Sequence, residues 1–358
     1  MRRKIVIDAV DLFCGGGGLT CGLRQAGINV KMGVDFDLNC KYAYEHNNKA
    51  RFLHKSILDV TAKEVKANFR KGHYSLLAGC APCQTFSSYN PKATYHDKRW
   101  HLLSHFQRLA AEVRPDFVTM ENVPNIHKQK VFRDFVRTLK QLGYNVDYKI
   151  VNCPKYGLPQ LRKRIVLMAS RLGKIVVPPP KKNVRVKTVR EIIGGLPPIK
   201  AGGHDTRDRL HFCASLSALN LKRIKVSDPG GTWKSWPSEL VAKCHKRKAG
   251  RSFRGVYGRM EWDKPAPTMT TEFFGFGHGR FGHPDQDRAI SIREGAMFQG
   301  FPRWYQFYSA KEKPNIAILG KMIGNAVPVK LGEAIGKAFL RHVGSYERIK
   351  RKEGDNDA

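Results

Sequence analysis

The sequence has little acidic charge and no long apolar run. Its 30 Asp and Glu residues stand against 64 Lys and Arg residues, which gives a formal net charge of +34. No stretch approaches the roughly 18 consecutive apolar residues of a membrane span, and the start has no apolar segment typical of a signal peptide. We therefore predict a protein of the cell interior with no membrane partner. The charge favours a polyanionic partner, with nucleic acid the first candidate.

Paired cysteines are also scarce. The eight cysteines are irregularly spaced, which suits a reducing compartment better than a disulfide framework. Cys80 and Cys83 form a CxxC pair, but no second pair completes a four-ligand zinc site, so we predict no metal. A redox pair is disfavoured too, because a thioredoxin-like domain would carry it near its start.

The basic excess is densest in residues 171–263, which carry 21 Lys or Arg and 7 Asp or Glu with aromatic residues between them. A solvated surface would explain any single cluster, such as Lys246-Arg247-Lys248. The sustained density favours nucleic-acid binding instead.

Alternating strand and helix patterns fill the first 170 residues. They predict an α/β fold with a mostly parallel, doubly wound sheet. An amphipathic helix face recurs over residues 131–142 and another over 331–339. The predicted strands are Ile5 to Phe13, Val30 to Val34, Tyr74 to Ala78, Phe117 to Met120, Val146 to Val151 and Ile165 to Ala169.

Two loops in this region carry chemistry. Pro82 fixes the turn before Cys83, so a thiol is presented by a defined loop and is a candidate nucleophile. The glycines at 15–18 follow the first strand and open the first helix, where a ligand can approach the backbone, and Asp35 follows the second strand as a candidate ribose ligand. In isolation these features would also fit a dinucleotide-binding oxidoreductase.

Six motifs in one order resemble the C5-cytosine DNA methyltransferase family over almost the whole chain. They are Asp11 to Gly18, Cys80 to Gln84, Glu121-Asn122-Val123, Gln160 to Arg164, Arg293-Glu294 with Gln299 to Pro302, and Gly324 to Pro328. The resemblance implies a Rossmann-like S-adenosylmethionine-dependent domain with a smaller, irregular, basic target-recognition domain. It also implies methyl transfer to carbon 5 of a flipped cytosine in duplex DNA.

The resemblance assigns four catalytic residues. Cys83 adds to carbon 6 of the cytosine, and Glu121 shares a proton with nitrogen 3 and accepts from the exocyclic amine. Arg164 contacts the O2 atom of the base, and Arg162 supports the nucleophile loop.

The cofactor and DNA contacts follow from the same resemblance. Phe13 offers a ring to the adenine of S-adenosylmethionine and Asp35 binds the ribose, with Ser56 and Asp59 as alternatives for the adenine. The predicted cofactor set is Phe13, Gly15, Gly17, Gly18, Asp35, Ser56, Pro82 and Asn325, and the predicted DNA set is Gln84, Ser87 and Thr268.

The sequence predicts a division of the chain into four parts. We predict a catalytic and cofactor-binding domain over 1–170 and a target-recognition domain over 171–288. A return segment with a C-terminal helix over 289–345 completes the first domain, and 346–358 form a flexible tail.

A cytoplasmic monomer is expected, associated with the nucleoid of a bacterium or with the interior of a host cell if the protein is viral. An RNA cytosine methyltransferase is the alternative, although the Cys-Phe-Thr element typical of that branch is not found. A DNA-binding protein with an inactive site is a further alternative, which the intact Cys83, Glu121 and Arg164 set disfavours. The target sequence does not follow from the residues.

Overall fold

The structure, a computed structural model, describes residues 5–82, 102–180, 182–253 and 255–356. The chain forms two compact units. The first is drawn from Met1–Tyr156, Lys163–Lys182 and Val327–Ala358, and the second from Gly157–Arg162 and Asn183–Ala326.

Seven strands among the described residues of the first unit form one sheet in the order β3-β2-β1-β4-β5-β7-β6. The first five strands run parallel, whereas β7 is antiparallel to both of its neighbours. The mostly parallel α/β fold is confirmed. The strands are β1 (Ile7–Leu12), β2 (Asn29–Asp35), β3 (Arg51–His54), β4 (Tyr74–Gly79), β5 (Phe117–Asn122), β6 (Asn145–Asn152) and β7 (Lys163–Ser170).

Helices connect and cover these strands. The central strands β1 and β5 are buried along their whole length, because a parallel sheet is covered on both faces. The helices of this unit are α1 (Gly18–Ala26), α2 (Lys41–Asn48), α3 (Ala62–Lys66), α4 (Leu102–Val113), α5 (Lys130–Gln141) and α11 (Val329–Asn356).

Helix α11 packs against α1 and the sheet. A Cβ added at Gly22 would lie 2.2 Å from the Val329 carbonyl oxygen, so glycine is required for the close approach of the two helices. On the sheet side, Ser170 Oγ and His342 Nε2 are 2.8 Å apart. Residues 346–356 of the predicted tail are helical, because α11 continues to Asn356, and Glu347 accepts a hydrogen bond from the Tyr74 hydroxyl.

The second unit is irregular. Its described residues contain short helices and isolated β-bridges, and no named strand. Buried aromatic side chains form a core: Trp233 and Trp236 pack with Phe276, and the Arg223 guanidinium lies 5.6 Å from the centroid of the Trp236 ring. The helices are α6 (Val189–Ile193), α7 (Ala218–Lys225), α8 (Lys243–Lys246), α9 (Ile292–Phe298) and α10 (Ile316–Asn325).

The division of the chain differs from the predicted one. Residues 289–326 belong to the second unit, not to the first. Hydrogen bonds explain the difference: the Ile292 amide donates to the Phe212 carbonyl at 3.0 Å, and Arg293 forms two bonds to Asp208 at 2.6 and 2.9 Å. Composition alone gave no sign of these pairings between distant segments.

In the ranges that the structure describes, no helix combines the length and the apolar character that a membrane crossing requires.

Candidate active site and cofactor cleft

Three predicted site residues of the first unit, together with Cys80 of the nucleophile motif, lie at the carboxyl ends of parallel strands. Phe13 follows β1, Asp35 ends β2, Cys80 follows β4, and Glu121 lies near the end of β5. Carboxyl ends of parallel strands meet at one edge of the sheet, where open α/β folds bind their ligands. The strand order therefore brings the glycine loop and Glu121 to the same edge.

Two glycines with positive φ turn the loop after β1. Gly15 has φ 49° and Gly17 has φ 87°, and Gly17 precedes Gly18, the first residue of α1. Asp35 fixes this loop, because its Oδ2 accepts a 2.8 Å hydrogen bond from the Gly15 amide and its Oδ1 a 2.9 Å bond from the Asp37 amide. The loop backbone is held at the N-terminus of a helix, a position suited to a polar ligand.

A small cleft opens beside this loop. Phe13 lies at one side with φ 57°, a left-handed conformation that is uncommon for an aromatic residue. Arg108 holds the opposite side, because its Nη2 donates to the carbonyls of Ile57 at 3.2 Å and Val60 at 2.9 Å. The lining residues are Phe13, Val34, Asp35, Phe36, Lys55, Ser56, Ile57 and Leu102. Ser56 lines this cleft and the exposed Asp59 does not, which favours Ser56 of the two alternatives.

A buried carboxylate lies beneath the loop. Asp11 Oδ2 accepts a 2.7 Å hydrogen bond from Thr20 Oγ1, which is 3.0 Å from the Tyr44 hydroxyl. The other oxygen, Oδ1, is buried without a hydrogen-bond partner among the described residues. Burial raises the pKa of Asp11 to about 7; the Thr20 bond lowers it and the charge of Asp35 adds to the rise.

The raised pKa of Asp11 predicts how the stability of the protein depends on pH. Asp11 titrates near 3.8 when unfolded and near 7 when folded, so between these values the folded state keeps a proton that the unfolded state has lost. Stability therefore falls as pH rises through this window. We expect the free energy of unfolding in urea to depend less on pH in Asp11→Asn than in wild type. The difference, Asp11→Asn minus wild type, should increase by at least about 1.4 kcal/mol, the value of one pKa unit, between about pH 4.5 and 7. The exposed control Asp59→Asn should follow wild type, and an equal pH dependence in Asp11→Asn would contradict the prediction.

Glu121 is the centre of a second cluster. It is buried, with 3% of its surface exposed, and two side chains contact its two oxygens. Cys80 Sγ donates to Oε2 at 2.9 Å, and Arg164 Nε lies 3.0 Å from Oε1 in an ion pair. Arg164 is itself 14% exposed. The carboxylate thus has a fixed orientation, and a guanidinium that reaches solvent lies beside it.

The neighbouring Asn122 fixes the start of the nucleophile loop. Its amide donates to the Ala81 carbonyl at 3.1 Å, next to the half-buried Pro82. Cys83, Gln84 and Ser87 lie outside the described residues, so their roles remain predictions.

The second unit contains the other predicted residues. Arg162 is buried and donates to the carbonyls of Met269 at 2.8 Å and Gly324 at 3.3 Å. The Thr268 hydroxyl donates to the Leu161 carbonyl, and Asn325 is exposed at the end of α10. These contacts give Arg162 partners in the second unit. Its predicted support of the nucleophile loop concerns Cys83 and its neighbours, which lie outside the described residues, and stays a prediction.

Gln160 joins the same network. Its Nε2 donates to the Phe298 carbonyl and to Gln299 Oε1, both at 2.8 Å, and its Oε1 accepts from the Met269 amide at 2.9 Å. A Cβ at Gly324 would lie 2.2 Å from the Thr270 carbonyl oxygen. The motifs at 160–164, 299–302 and 324–328 therefore include residues that hold the second unit together.

Sequence reasoning missed three contributors to these clusters. Asp11 was noted as part of a motif but not as a buried titratable group, and Ile57 was not recognised as a cleft residue. Cys80 was treated as incidental to the CxxC spacing. An Asp inside an otherwise apolar strand was the available signal for the first, because a buried carboxyl requires a specific environment.

Metal-ligating residues do not gather in the described part of the chain. No group of three or more His, Cys, Asp or Glu side chains there is placed to hold a metal ion.

Comparisons with known proteins identify a sequence family. A family model described as C-5 cytosine-specific DNA methylase matches residues 7–341. The type II methylase M.HgiDII of Herpetosiphon aurantiacus is 49% identical over 344 residues, which cover 95% of this chain and 97% of that protein. The type II methyltransferase M1.BsuMI of Bacillus subtilis is 32% identical and is covered over 81% of its length, with 94% of this chain.

Solved structures share the fold. An E. coli prophage protein described as a DNA modification methyltransferase superposes with a TM-score of 0.73 at 23% identity, covering 94% of this chain and 99% of the other. The Dnmt2 methyltransferase of S. pombe gives a TM-score of 0.65 at 17% identity, with 94% and 99% covered.

Proposed function

The chain belongs to the C-5 cytosine-specific DNA methylase family and is a DNA (cytosine-5)-methyltransferase, and we propose that its donor is S-adenosylmethionine and that the cluster around Glu121 activates the cytosine. The observation that carries the proposal is the buried Glu121 with Cys80 on one oxygen and Arg164 on the other. This cluster lies at the end of β5. The neighbouring strand β4 ends where the nucleophile loop begins.

The cofactor cleft fits the proposed donor. Asp35, Phe13 and Ser56 line this cleft. We assign Asp35 to the ribose hydroxyls, and the Phe13 ring and Ser56 to the adenine. The loop of Gly15, Gly17 and Gly18 leaves room at the N-terminus of α1. When bound there, S-adenosylmethionine supplies an electrophilic methyl group.

The protein residues have to make carbon 5 of cytosine nucleophilic. The Cys83 thiolate forms a bond to carbon 6, and the electron pair of the carbon 5–carbon 6 double bond moves into the ring. Glu121 shares a proton with nitrogen 3 and accepts from the exocyclic amine, while Arg164 donates to O2, so that both relieve the developing charge. After methylation, loss of the carbon 5 proton expels the thiolate and restores the double bond.

The target cytosine has to leave the base stack of the DNA duplex to reach this site. A buried Glu121 is out of reach of a base paired in a duplex, and flipping is the general solution of enzymes that modify bases. We assign the second unit to DNA recognition, with Thr268 near the bases and Gln84 and Ser87 on the nucleophile loop. Its basic composition supports phosphate contacts.

Arg162 and Asn325 take supporting roles in this proposal. The buried Arg162 joins the segments around Met269 and Gly324, and so orders the start of the recognition segment that contains Thr268. Asn325 completes the cofactor set as an exposed residue of the last motif. We also propose that the protein acts as a monomer on duplex DNA. Its assignment to a type II system rests on two relatives, which are named a type II methylase and a type II methyltransferase.

Direct methyl transfer tests the proposal. Purified protein should move labelled methyl groups from S-adenosylmethionine to duplex DNA, and bisulfite sequencing of a plasmid from expressing cells should show protected cytosines in one short sequence. Glu121→Gln should reduce the rate by about 10²–10⁴-fold, the usual value for a positioned acid or base. Transfer to tRNA and not to DNA, or full activity of Glu121→Gln, would contradict it.

Asp35→Ala should weaken binding of S-adenosylmethionine by about ten- to hundredfold. Hydrogen bonds to a charged group contribute about 1.5–3 kcal/mol, and the substitution also releases the Gly15 amide. Burial raises the pKa of Asp35 above its usual value, so wild-type affinity should fall at acidic pH as the carboxylate protonates. Isothermal titration calorimetry measures both effects. The control is Asp37→Ala, which removes a half-buried carboxylate two residues further on and leaves the bond between Asp35 and the Gly15 amide in place. Unchanged affinity in Asp35→Ala would refute the assignment.

Cys80→Ala should lower kcat while leaving the KM for DNA nearly unchanged. The substitution removes the donor to Glu121 Oε2, and one hydrogen bond to a charged group corresponds to about tenfold in rate. Cys80→Ser keeps a donor and should recover most of the activity in steady-state assays. Equal loss in both variants would show that the sulfur itself is required, as a dithiol mechanism would demand.

A further inference from the structure

A basic cleft with an exposed tryptophan lies in the second unit, apart from the residues assigned above. Its lining includes four arginines, Arg207, Arg209, Arg293 and Arg303, and one carboxylate, Asp208. Trp304, Tyr305, Phe307 and Tyr308 supply aromatic surface. Positive charge beside accessible rings is the combination that binds nucleotides in single strands.

The arginines have different tasks. Arg293 is paired with Asp208 through two hydrogen bonds, and its buried Nη1 has no partner among the described residues. Arg209 lies 4.8 Å from the Tyr308 ring centroid and donates to the Ser309 carbonyl at 3.0 Å. These two contacts stabilise the cleft wall and add positive potential to it.

The other two arginines are available to a ligand. Arg207 is 79% exposed, and its nearest carboxylate, Asp205, lies 3.6 Å away. Arg303 is exposed and has no hydrogen bond or ion pair with any described residue. Exposed guanidinium groups are suited to bidentate binding of phosphate oxygens.

Trp304 distinguishes this cleft from a simple anion site. Its ring is 59% exposed, directly next to Arg303 in the chain. The indole contacts the buried Tyr305 ring, with 5.7 Å between the ring centroids, and its exposed surface offers a face on which a base can stack.

We propose that this cleft binds a DNA strand, with phosphates at Arg207 and Arg303 and an unpaired base against Trp304. The choice of DNA as the ligand rests on the proposed function, whereas the binding itself needs neither methyl transfer nor the cofactor. The cleft would bind nucleotides other than the reacting cytosine.

The test compares two charge-reversal double variants. Arg207→Glu with Arg303→Glu should weaken binding of a fluorescent oligothymidylate by tenfold or more, and reduce the slope of log affinity against log salt by about 0.7 per lost contact. Lys311→Glu with Lys313→Glu makes the same change in net charge at exposed positions outside the lining, and should have the smaller effect. Equal effects of the two double variants would overturn the proposal.

The base contact is tested separately. Trp304→Ala should weaken binding of oligothymidylate about fivefold or more, since stacking contributes about 1–3 kcal/mol per base. Trp304→Ala and wild type should bind an abasic strand of equal length with the same affinity. Trp304→Phe should retain most of the wild-type affinity for oligothymidylate. A light-induced crosslink from 5-iodouracil in the strand should map by mass spectrometry to residues 303–308. A free mononucleotide that binds as tightly as the strand, or crosslinks found elsewhere alone, would overturn the proposal.

Failure here is separable from failure of the proposed function. If the cleft variants bind and methylate DNA as wild type does, the cleft proposal fails and the methyltransferase remains. If the wild-type protein binds no DNA, both fail.

Discussion

Cys83→Ser is expected to abolish methylation while leaving the affinity for S-adenosylmethionine nearly unchanged. A hydroxyl near neutral pH is a far weaker nucleophile than a thiolate, and the addition to carbon 6 precedes every later step. Removal of a covalent nucleophile can cost several decades in rate, so we expect a loss of at least about a thousandfold. Single-turnover transfer and calorimetric titration of the cofactor measure the two quantities. Loss of both together would argue against a purely chemical role.

Covalent trapping provides an independent measurement of the same residue. With 5-fluorocytosine at the target, the carbon 5 substituent does not leave as a proton, so the adduct through Cys83 should persist on a denaturing gel. The band should require S-adenosylmethionine and should be absent in Cys83→Ala. The Cys80→Ser variant should still form it, and a band in Cys83→Ala would assign the nucleophile elsewhere.

Arg288→Met is expected to reduce the stability of the second unit by about 3–5 kcal/mol, the usual effect of breaking a buried ion pair. Arg288 and Glu294 are both fully buried and make two hydrogen bonds of 2.8 Å. Burial raises the pKa of Glu294, but the bonds and charge of Arg288 outweigh it and hold the pKa below its usual value. Without Arg288 the buried carboxylate keeps the 2.6 Å hydrogen bond from the Ser291 amide but loses its guanidinium partner.

The pH dependence and a double variant test this explanation. In Arg288→Met, protonation of Glu294 removes the buried charge, so the loss of stability in urea unfolding should shrink as pH falls. Arg288→Met combined with Glu294→Leu should recover much of the lost stability, because apolar replacements of buried pairs are often neutral. If the free energy of unfolding of Arg288→Met lies within about 1 kcal/mol of the wild-type value, this explanation is contradicted.

The sequence predicted the first unit well because its signals are local. Strands and glycine turns are read from neighbouring residues, and a parallel sheet then brings strand ends together at one edge. Asp35 and Glu121 thus lie at the strand ends where the motifs placed them, and Arg164 lies beside Glu121. The short strand β3 was missed, since four residues carry too little periodicity.

The second unit could not be predicted in the same way. Its described residues are held by side-chain bonds between distant segments, such as Arg259 Nη1 with the carbonyls of His283 and Gln286 at 2.9 and 2.8 Å. Such pairings leave no periodic pattern. The contact of Cys80 with Glu121 is also tertiary, because the two residues lie 41 positions apart.

The close packing of Gly22 against Val329 has a consequence for biosynthesis. The partner of α1 lies beyond the whole second unit in the chain, so a ribosome that has finished β7 must still translate residues 183–326 before α11 exists. At 5–20 residues per second this takes roughly ten to thirty seconds. During that interval the nascent sheet lacks one covering helix, and a product truncated before 329 would expose an apolar face to proteases. Completion of the first unit therefore waits for the translation of α11.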